Sequence, residues 1–122
     1  MYKDLKMNVQ KKIDPEAKLI SYTLNSFSSE AEMDLFVNFF EKNGKEFFEN
    51  LKRHGLIRWR LNQVWNKDGI FQLASLFEYK DEEAYKNSIE EIVNWRNKHE
   101  HFFNKINIKR TASRTVNLLD FY

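Results

Sequence analysis

The sequence contains no cysteine, only one proline and only three glycines among 122 residues. The absence of cysteine excludes disulfides, thiol nucleophiles, iron–sulfur ligation and cysteine-type zinc sites. The scarcity of glycine and proline predicts short loops. No apolar run approaches the roughly 18–20 residues of a membrane helix, and polar sequence instead of a signal peptide follows Met1. We therefore expect a cytoplasmic protein without a membrane partner.

Aromatic residues, in contrast, are abundant: they make up 16% of the chain, and eleven of them are phenylalanines. A chain of this length forms one domain that buries roughly 65–70% of its unfolded surface. Acidic blocks at 28–50 and 78–91 alternate with basic blocks at 51–67 and 96–114. Such opposed blocks are typical of solvated faces or complementary patches, whereas a nucleic-acid track needs one dominant basic stripe. The aromatic excess is therefore the feature that a structure has to explain.

Hydrophobic periodicity predicts the order strand, helix, strand, strand, helix, strand. The first helix begins with the capping pair Ser29 and Glu32, and Gly44 within it predicts either a helix break or close packing against a neighbour. Asp81 is expected to cap the second helix, which the spacing extends over about 25 residues. The predicted strands cover residues 17–27, 56–65, 70–79 and 111–121.

This βαββαβ order predicts a ferredoxin-like α+β fold, in which two helices cover one face of a four-stranded antiparallel sheet. We expect Ile20, Tyr22 and Leu24 to face the helices and large aromatics such as Trp59 to remain on the opposite face. An exposed aromatic face favours association, so we expect a second copy to cover it. Residues 18–122 are predicted to form this single domain, preceded by an arm or extra edge strand over residues 1–17.

The segment 77–85 (FEYKDEEAY), followed by Trp95 and the step Glu100-His101-Phe102, resembles the dimeric α/β-barrel superfamily, including its antibiotic biosynthesis monooxygenase type. The resemblance covers residues 18–122. It implies a homodimer whose two sheets enclose a barrel, with a small-molecule pocket between the sheet and the helices of each protomer. It also implies a cofactor-independent monooxygenase acting on an aromatic or polyketide-like substrate. The alternative is a non-catalytic dimeric ligand-binding or interaction protein of the same fold.

One branch of the superfamily degrades haem with an asparagine on the first strand, a tryptophan on the second helix and an axial histidine ten residues later. Asn25 and Trp95 match the first two positions, but Lys105 stands where the histidine is needed. Lysine does not replace an axial imidazole, so haem degradation is a weaker alternative and we expect no cofactor. His99 and His101 would lie about 200° apart around a helix, so we expect no metal site either.

The resemblance and the side-chain chemistry nominate Asn25 and His99 as catalytic residues. Asn25 can hydrogen-bond a carbonyl or dioxygen, although a strand-end asparagine often satisfies only backbone groups. His99 is the candidate for a general base or proton relay, because the histidine pKa lies near neutrality. A lone histidine on a helix is also commonly a structural residue.

Four further residues are candidates for substrate binding. Trp95 can wall a ligand pocket or be a simple core or dimer-contact residue, and Trp59 is a further candidate for substrate binding. Arg58 and Arg60 can bind a carboxylate, phosphate or enolate, or pair with acidic blocks of a partner subunit. RNA-recognition modules share the element order, but the strand 70–77 lacks the basic-glycine pair and the middle ring of their motif. We therefore expect a small-molecule ligand, and RNA binding is a weaker alternative.

Overall fold

The computed structural model describes residues 16–121. In chain order its elements are β1 (Leu19–Phe27), α1 (Glu30–Lys52), β2 (Leu56–Gln63), β3 (Phe71–Tyr79), α2 (Glu82–Lys98), α3 (Glu100–Phe103) and β4 (Ile108–Val116). Most of the predicted arm over residues 1–17 lies outside the described residues. None of the described helices combines the length and the apolar character needed to cross a bilayer.

The four strands form one antiparallel sheet in the order β2-β3-β1-β4. The central strand β1 pairs with β3 from Leu19↔Tyr79 to Phe27↔Phe71 and with β4 along its other edge. Side chains of α1 and α2 pack against the same face of this sheet. The predicted ferredoxin-like fold class is therefore confirmed.

Both main helices begin at side-chain caps. The Oγ of Ser29 accepts a hydrogen bond from the backbone N–H of Glu32, and the Oδ1 of Asp81 accepts one from the N–H of Ala84 at 2.8 Å. Each cap satisfies one of the backbone donors that a helix start leaves unpaired. The two predicted helix starts are thus correct.

Gly44 lies within α1 and Gly55 follows its end, and the two glycines have different roles. Gly55 has a φ of +106°, and a Cβ on it would lie 2.6 Å from the Cβ of Ala84, so the turn after α1 needs glycine. Gly44 leaves the helix unbroken. A Cβ there would lie 3.3 Å from Cζ3 of Trp59, so this glycine allows α1 to pack closely on β2.

The second helix is shorter than predicted. His99, with φ −110° and ψ 21°, leaves helical geometry and separates α2 from α3. The chain therefore turns back early, and Phe102 and Phe103 of α3 pack against the core. As a result β4 begins at Ile108, three residues before the predicted strand.

The orientation of β1 is opposite to the predicted one. Ser21 and Asn25 are buried under the helices, whereas Tyr22 lies on the other face and is 38% exposed. The alternation of polar and apolar residues was recognised, but the assignment of the apolar set to the helices was wrong. Large rings from the helices and neighbouring strands fill this space, so β1 needs only small side chains there.

The aromatic excess is also placed differently from the prediction. Trp95 is only 3% exposed, and Trp59 and Phe71 pack against the two buried clusters between sheet and helices. The expectation that large aromatics such as Trp59 remain on the opposite face of the sheet is wrong. They lie in the layer between sheet and helices, where the candidate site is found.

Candidate functional site

A cavity of about 260 Å³ lies between the sheet and the two main helices. Its walls are mostly aromatic, and its polar positions are mainly small side chains of β1 and β3. The aromatic wall includes Phe40, Phe47, Trp59, Phe77 and Trp95. This volume is slightly below the roughly 300–1,000 Å³ of typical ligand pockets, so the cavity suits a single small molecule.

The cavity opens between α2 and β4. On the helix side its rim carries Ile89 and Val93, which are both partly exposed, and β4 contributes Ala112. The strand β4 is exposed along almost its whole length, because it forms the edge of the sheet beyond the helices. A ligand can therefore enter beside this strand.

Contacts between rings define the inner wall. The ring of Trp95 lies 4.5 Å from that of Phe47, and Trp59 stacks on Phe77 at 5.9 Å. The indole Nε1 atoms of Trp59 and Trp95 are buried without a hydrogen-bond partner among the described residues. An unpaired buried donor costs about 1–3 kcal/mol, and such costs are often found at functional sites. Both tryptophans line the cavity, and their role in substrate binding stays a prediction.

Asn25 is 3% exposed and lies on the sheet side of the cavity. Its Oδ1 accepts a hydrogen bond from the Nε of Arg110 at 3.0 Å. Because a guanidinium group only donates, this contact fixes the orientation of the amide. Among residues 16–121 the Nδ2 of Asn25 has no acceptor, so it can donate to a ligand.

Three arginines, Arg96, Arg110 and Arg114, complete the lining. The guanidinium carbon of Arg96 lies 5.4 Å from the ring centre of Phe103, and that of Arg114 lies 5.4 Å from the ring centre of Tyr85. Burial, together with the positive charge of Arg96, lowers the pKa of Arg110. The mouth of the cavity is therefore basic.

The sequence-based interpretation did not single out these arginines. Two signals were present: the basic block over 96–114, and the spacing of Arg110 and Arg114, which places both on one face of a strand. Their position beside Asn25 depends on the pairing of β4 with β1, which brings Arg110 opposite Asn25. No local sequence pattern predicts which strand β4 pairs with.

Residues 16–116 match the model of a protein family described as "Domain of unknown function (DUF6974)". The chain belongs to this family. A search of curated proteins found no significant match.

Two solved structures of dimeric ferredoxin-like proteins from an uncultured marine organism are similar to the chain. One shares 28% identity at a TM-score of 0.80 and covers 87% of this chain and 100% of that one. The other shares 25% identity at a TM-score of 0.79 and covers 86% of this chain and 98% of that one.

A monooxygenase from the gene ActVA-Orf6 of Streptomyces coelicolor, solved in complex with nanaomycin D, is similar at a TM-score of 0.67. It shares 10% identity and covers 89% of this chain and 95% of that one, so this likeness shows the fold alone. Together with the ferredoxin-like dimers, it confirms the resemblance to the dimeric α/β-barrel superfamily.

In this protein, His99 does not line the cavity. Its ring packs between Phe39 and Trp95, at centroid distances of 5.2 and 4.5 Å, and its Nε2 is buried without a partner in the described part of the chain. Trp95 therefore lies between His99 and the cavity, because its ring contacts the imidazole and also lines the cavity.

Tyr79 is another lining residue. Burial raises the pKa of Tyr79 to about 12, so its hydroxyl stays protonated near neutral pH.

Arg58 and Arg60 lie on the opposite face of the sheet. Both approach Glu78 of the same chain, with nitrogen–oxygen distances of 4.0 and 3.6 Å. The sequence places them beside Trp59, but strand alternation sends their side chains away from it. The structure therefore brings Asn25, Trp59 and Trp95 to one cavity and leaves His99, Arg58 and Arg60 outside it.

The residues present do not fit haem. Lys105, at the position of the axial histidine, is exposed and does not line the cavity. Neither His99 nor His101 lines it, so the described lining offers no imidazole to a haem iron. Residues 16–121 also contain no group of three or more histidine, aspartate or glutamate side chains that could hold a metal ion.

Proposed function

We propose that the protein is a homodimer and that each protomer binds one small aromatic or polyketide-like molecule in the cavity between sheet and helices. The observation that carries this proposal is the aromatic wall of the cavity with the buried amide of Asn25 beside it. Flat rings offer stacking and edge-to-face contacts, and a few fixed polar groups orient the ligand. The cytoplasmic location stays a prediction.

The proposed dimer interface is the face of the sheet opposite the helices. Tyr22 and Leu76 lie directly opposite each other at the centre of this face, and Leu24 extends the apolar area. Arg58 and Glu78 lie towards its edge. An apolar centre with a polar rim is the usual anatomy of a protein interface, and the two similar structures described as dimeric support this assembly.

The mass in solution tests the dimer. We expect light scattering at micromolar concentration to give twice 14.8 kDa for the natural chain. Tyr22→Lys places a charge at the centre of the interface and should give a monomer, whereas Leu35→Lys changes an exposed leucine of α1 and should leave the dimer intact. A natural chain that runs as a 14.8 kDa monomer contradicts the proposal.

Calorimetric titration with an anthrone and a hydroxynaphthoquinone tests ligand binding. Ala112→Leu adds carbon atoms at the mouth of the cavity on an exposed strand, so it should weaken binding at least tenfold without unfolding the protein. Ala31→Leu, at an exposed position of α1, is the matched control. Absence of saturable binding, or equal affinities of the two variants, contradicts the cavity as the binding site.

A second candidate function is cofactor-independent oxygenation of the bound molecule. It is supported by the Nδ2 of Asn25, which has no acceptor in the described part of the chain and lies in the same cavity as Trp95, and by the shared fold with a monooxygenase. An anthrone carbanion would supply electrons to dioxygen: its CH₂ carbon becomes a carbonyl with one oxygen atom, and the second oxygen leaves as water. The protein would contribute orientation, a hydrogen bond and a cavity with little water.

Oxygen consumption separates this enzyme from a pure binding protein. We expect one dioxygen consumed per carbonyl formed from an anthrone, and a rate at least tenfold lower in Asn25→Ala than in the control Asn38→Ala, which changes an exposed asparagine of α1. His99→Ala tests the predicted role of His99: because its ring reaches the cavity only through Trp95, a lost rate at unchanged ligand affinity supports a positioning role, and an unchanged rate contradicts a catalytic one. Saturable binding of the anthrone without oxygen consumption contradicts the oxygenase and leaves the binding function.

A further inference from the structure

The mouth of the cavity concentrates positive charge. Arg110 and Arg114 project from the helix-facing side of β4, four residues apart, and Arg96 projects from the last turn of α2. No aspartate or glutamate is among the described residues that line the cavity. Three guanidinium groups thus line one part of a cavity whose other walls are mostly aromatic.

These arginines differ from those on the other face of the sheet. Arg58 and Arg60 share the carboxylate of Glu78. Arg96, Arg110 and Arg114, in contrast, form no ion pair within residues 16–121. The guanidinium group of Arg96 lies over the ring of Phe103, and that of Arg114 lies over the ring of Tyr85. Positive groups gathered without an anion repel one another, and an anionic partner would relieve that repulsion.

The hydrogen bond to Asn25 also orients Arg110. Its Nε–H donates to the Oδ1 of Asn25, so the two terminal Nη groups remain available to another acceptor. A guanidinium group held in this way can present two parallel N–H donors to one carboxylate. The repulsion by Arg96 and the partial burial, which together lower the pKa of Arg110, are costs that a bound anion would offset.

We propose that the ligand is an amphipathic aromatic acid whose ring system fills the aromatic wall and whose anionic oxygen group binds Arg110 and Arg114 at the mouth. The inference rests on the proposed small-molecule function and narrows its ligand class. Ile89 and Val93, which are partly exposed beside the arginines, suit a ligand that is apolar up to its charged end.

A pair of probes of equal shape tests the charge preference. 2-Naphthoate carries a carboxylate, and 2-naphthamide replaces it with a neutral amide. Calorimetry with the full chain at neutral pH should show naphthoate binding at least tenfold more tightly. The double variant Arg110→Gln/Arg114→Gln should abolish this difference and keep the affinity for naphthamide, whereas Arg53→Gln, at an exposed arginine after α1, should keep the tenfold preference.

Circular dichroism of the double variant shows whether it is folded, and the single variant Arg114→Gln, which retains the bond between Asn25 and Arg110, provides a milder change with an intermediate loss of preference. Equal affinity of the natural chain for both probes overturns the inference but leaves the small-molecule function. A preference for naphthoate that survives in the double variant overturns it too, because the general charge of the surface then explains it. Failure of both probes to bind counts against the inference and against the proposed function.

Discussion

On the face of the sheet that the helices cover, β1 presents Ser21 and Asn25, whereas on the other face it presents Tyr22 and Leu24. Sheets covered on one side usually place apolar residues under the helices and polar ones outside. Here the helix-covered face of β1 is the more polar one, because its small side chains leave room for a cavity walled by rings from other elements. The apolar outer face is left for a second copy of the chain in the proposed dimer.

The largest expected effect on stability comes from a comparison of two leucines of β3, Leu73 and Leu76, which lie on opposite faces of the sheet. Leu73→Ala removes a buried side chain on the helix-covered face and should lower the free energy of unfolding by about 2–5 kcal/mol at any protein concentration. Leu76→Ala should act mainly on the dimer, so its effect should grow as the protein is diluted. Denaturant unfolding at two protein concentrations distinguishes them. If both variants showed the same dependence of unfolding on protein concentration, the proposed difference between the two faces would be wrong.

A smaller effect is expected at the start of α2, the helix that forms one side of the cavity. Asp81→Ala removes the side-chain acceptor of the Ala84 N–H and should lower the free energy of unfolding by about 0.5–2 kcal/mol. Asp34→Ala, at an exposed position inside α1, is the control and should change it by less than about 0.5 kcal/mol. Loss of the dimer in Asp81→Ala would show that the two faces are not independent.

Gly44→Ala measures the free space on the helix-covered face. Alanine favours the helix by up to about 1 kcal/mol over glycine, but its Cβ would lie 3.3 Å from Trp59. Since Trp59 lines the cavity, it can shift into it. We expect equal or slightly greater stability together with weaker ligand binding, measured by unfolding and by titration. A clear destabilisation would show that this wall is rigidly packed.

The smallest effect is a pH dependence between α1 and α2. The hydrogen bond from the Lys98 ammonium, 2.8 Å from the Glu46 carboxylate, lowers the pKa of Glu46 below its ordinary value of 4.5. A depressed pKa stabilises the fold above the unfolded value, and this contribution disappears as the pH falls through the folded one. The stability difference between the natural chain and Lys98→Gln should therefore shrink on acidification. Lys42→Gln, an exposed lysine of α1, should show no such trend.

The periodicity of the sequence was enough to predict the element order and both helix caps, because these depend on neighbouring residues. The end of α2 was not predictable in this way. His99 continues the apolar stripe and carries no helix-breaking side chain, yet the backbone leaves helical geometry there so that Phe102 and Phe103 reach the core. That packing is against α1, where Phe39 stacks on Phe102, and α1 lies far away in the chain.

The candidate site was predictable in part. Asn25, Trp59 and Trp95 were identified from residue type and family resemblance, and all three line the cavity. Arg110 was overlooked, because its relation to Asn25 appears only when β4 pairs with β1 across 85 positions of sequence. Long-range pairing of this kind leaves no trace in local composition.

The sequence by itself determined the order of the main elements, the starts of the two main helices, and that β1 has one polar and one apolar side. Only the tertiary structure decided which side the helices cover. Alternation specifies two faces but not their partners, and the choice depends on how the rings of Phe40, Phe47, Trp59 and Trp95 pack together. These rings come from α1, β2 and α2 and bury one another, so the core does not depend on large side chains from the middle of β1. The small polar side chains of Ser21, Thr23 and Asn25 leave space there, and this space is the cavity that they line.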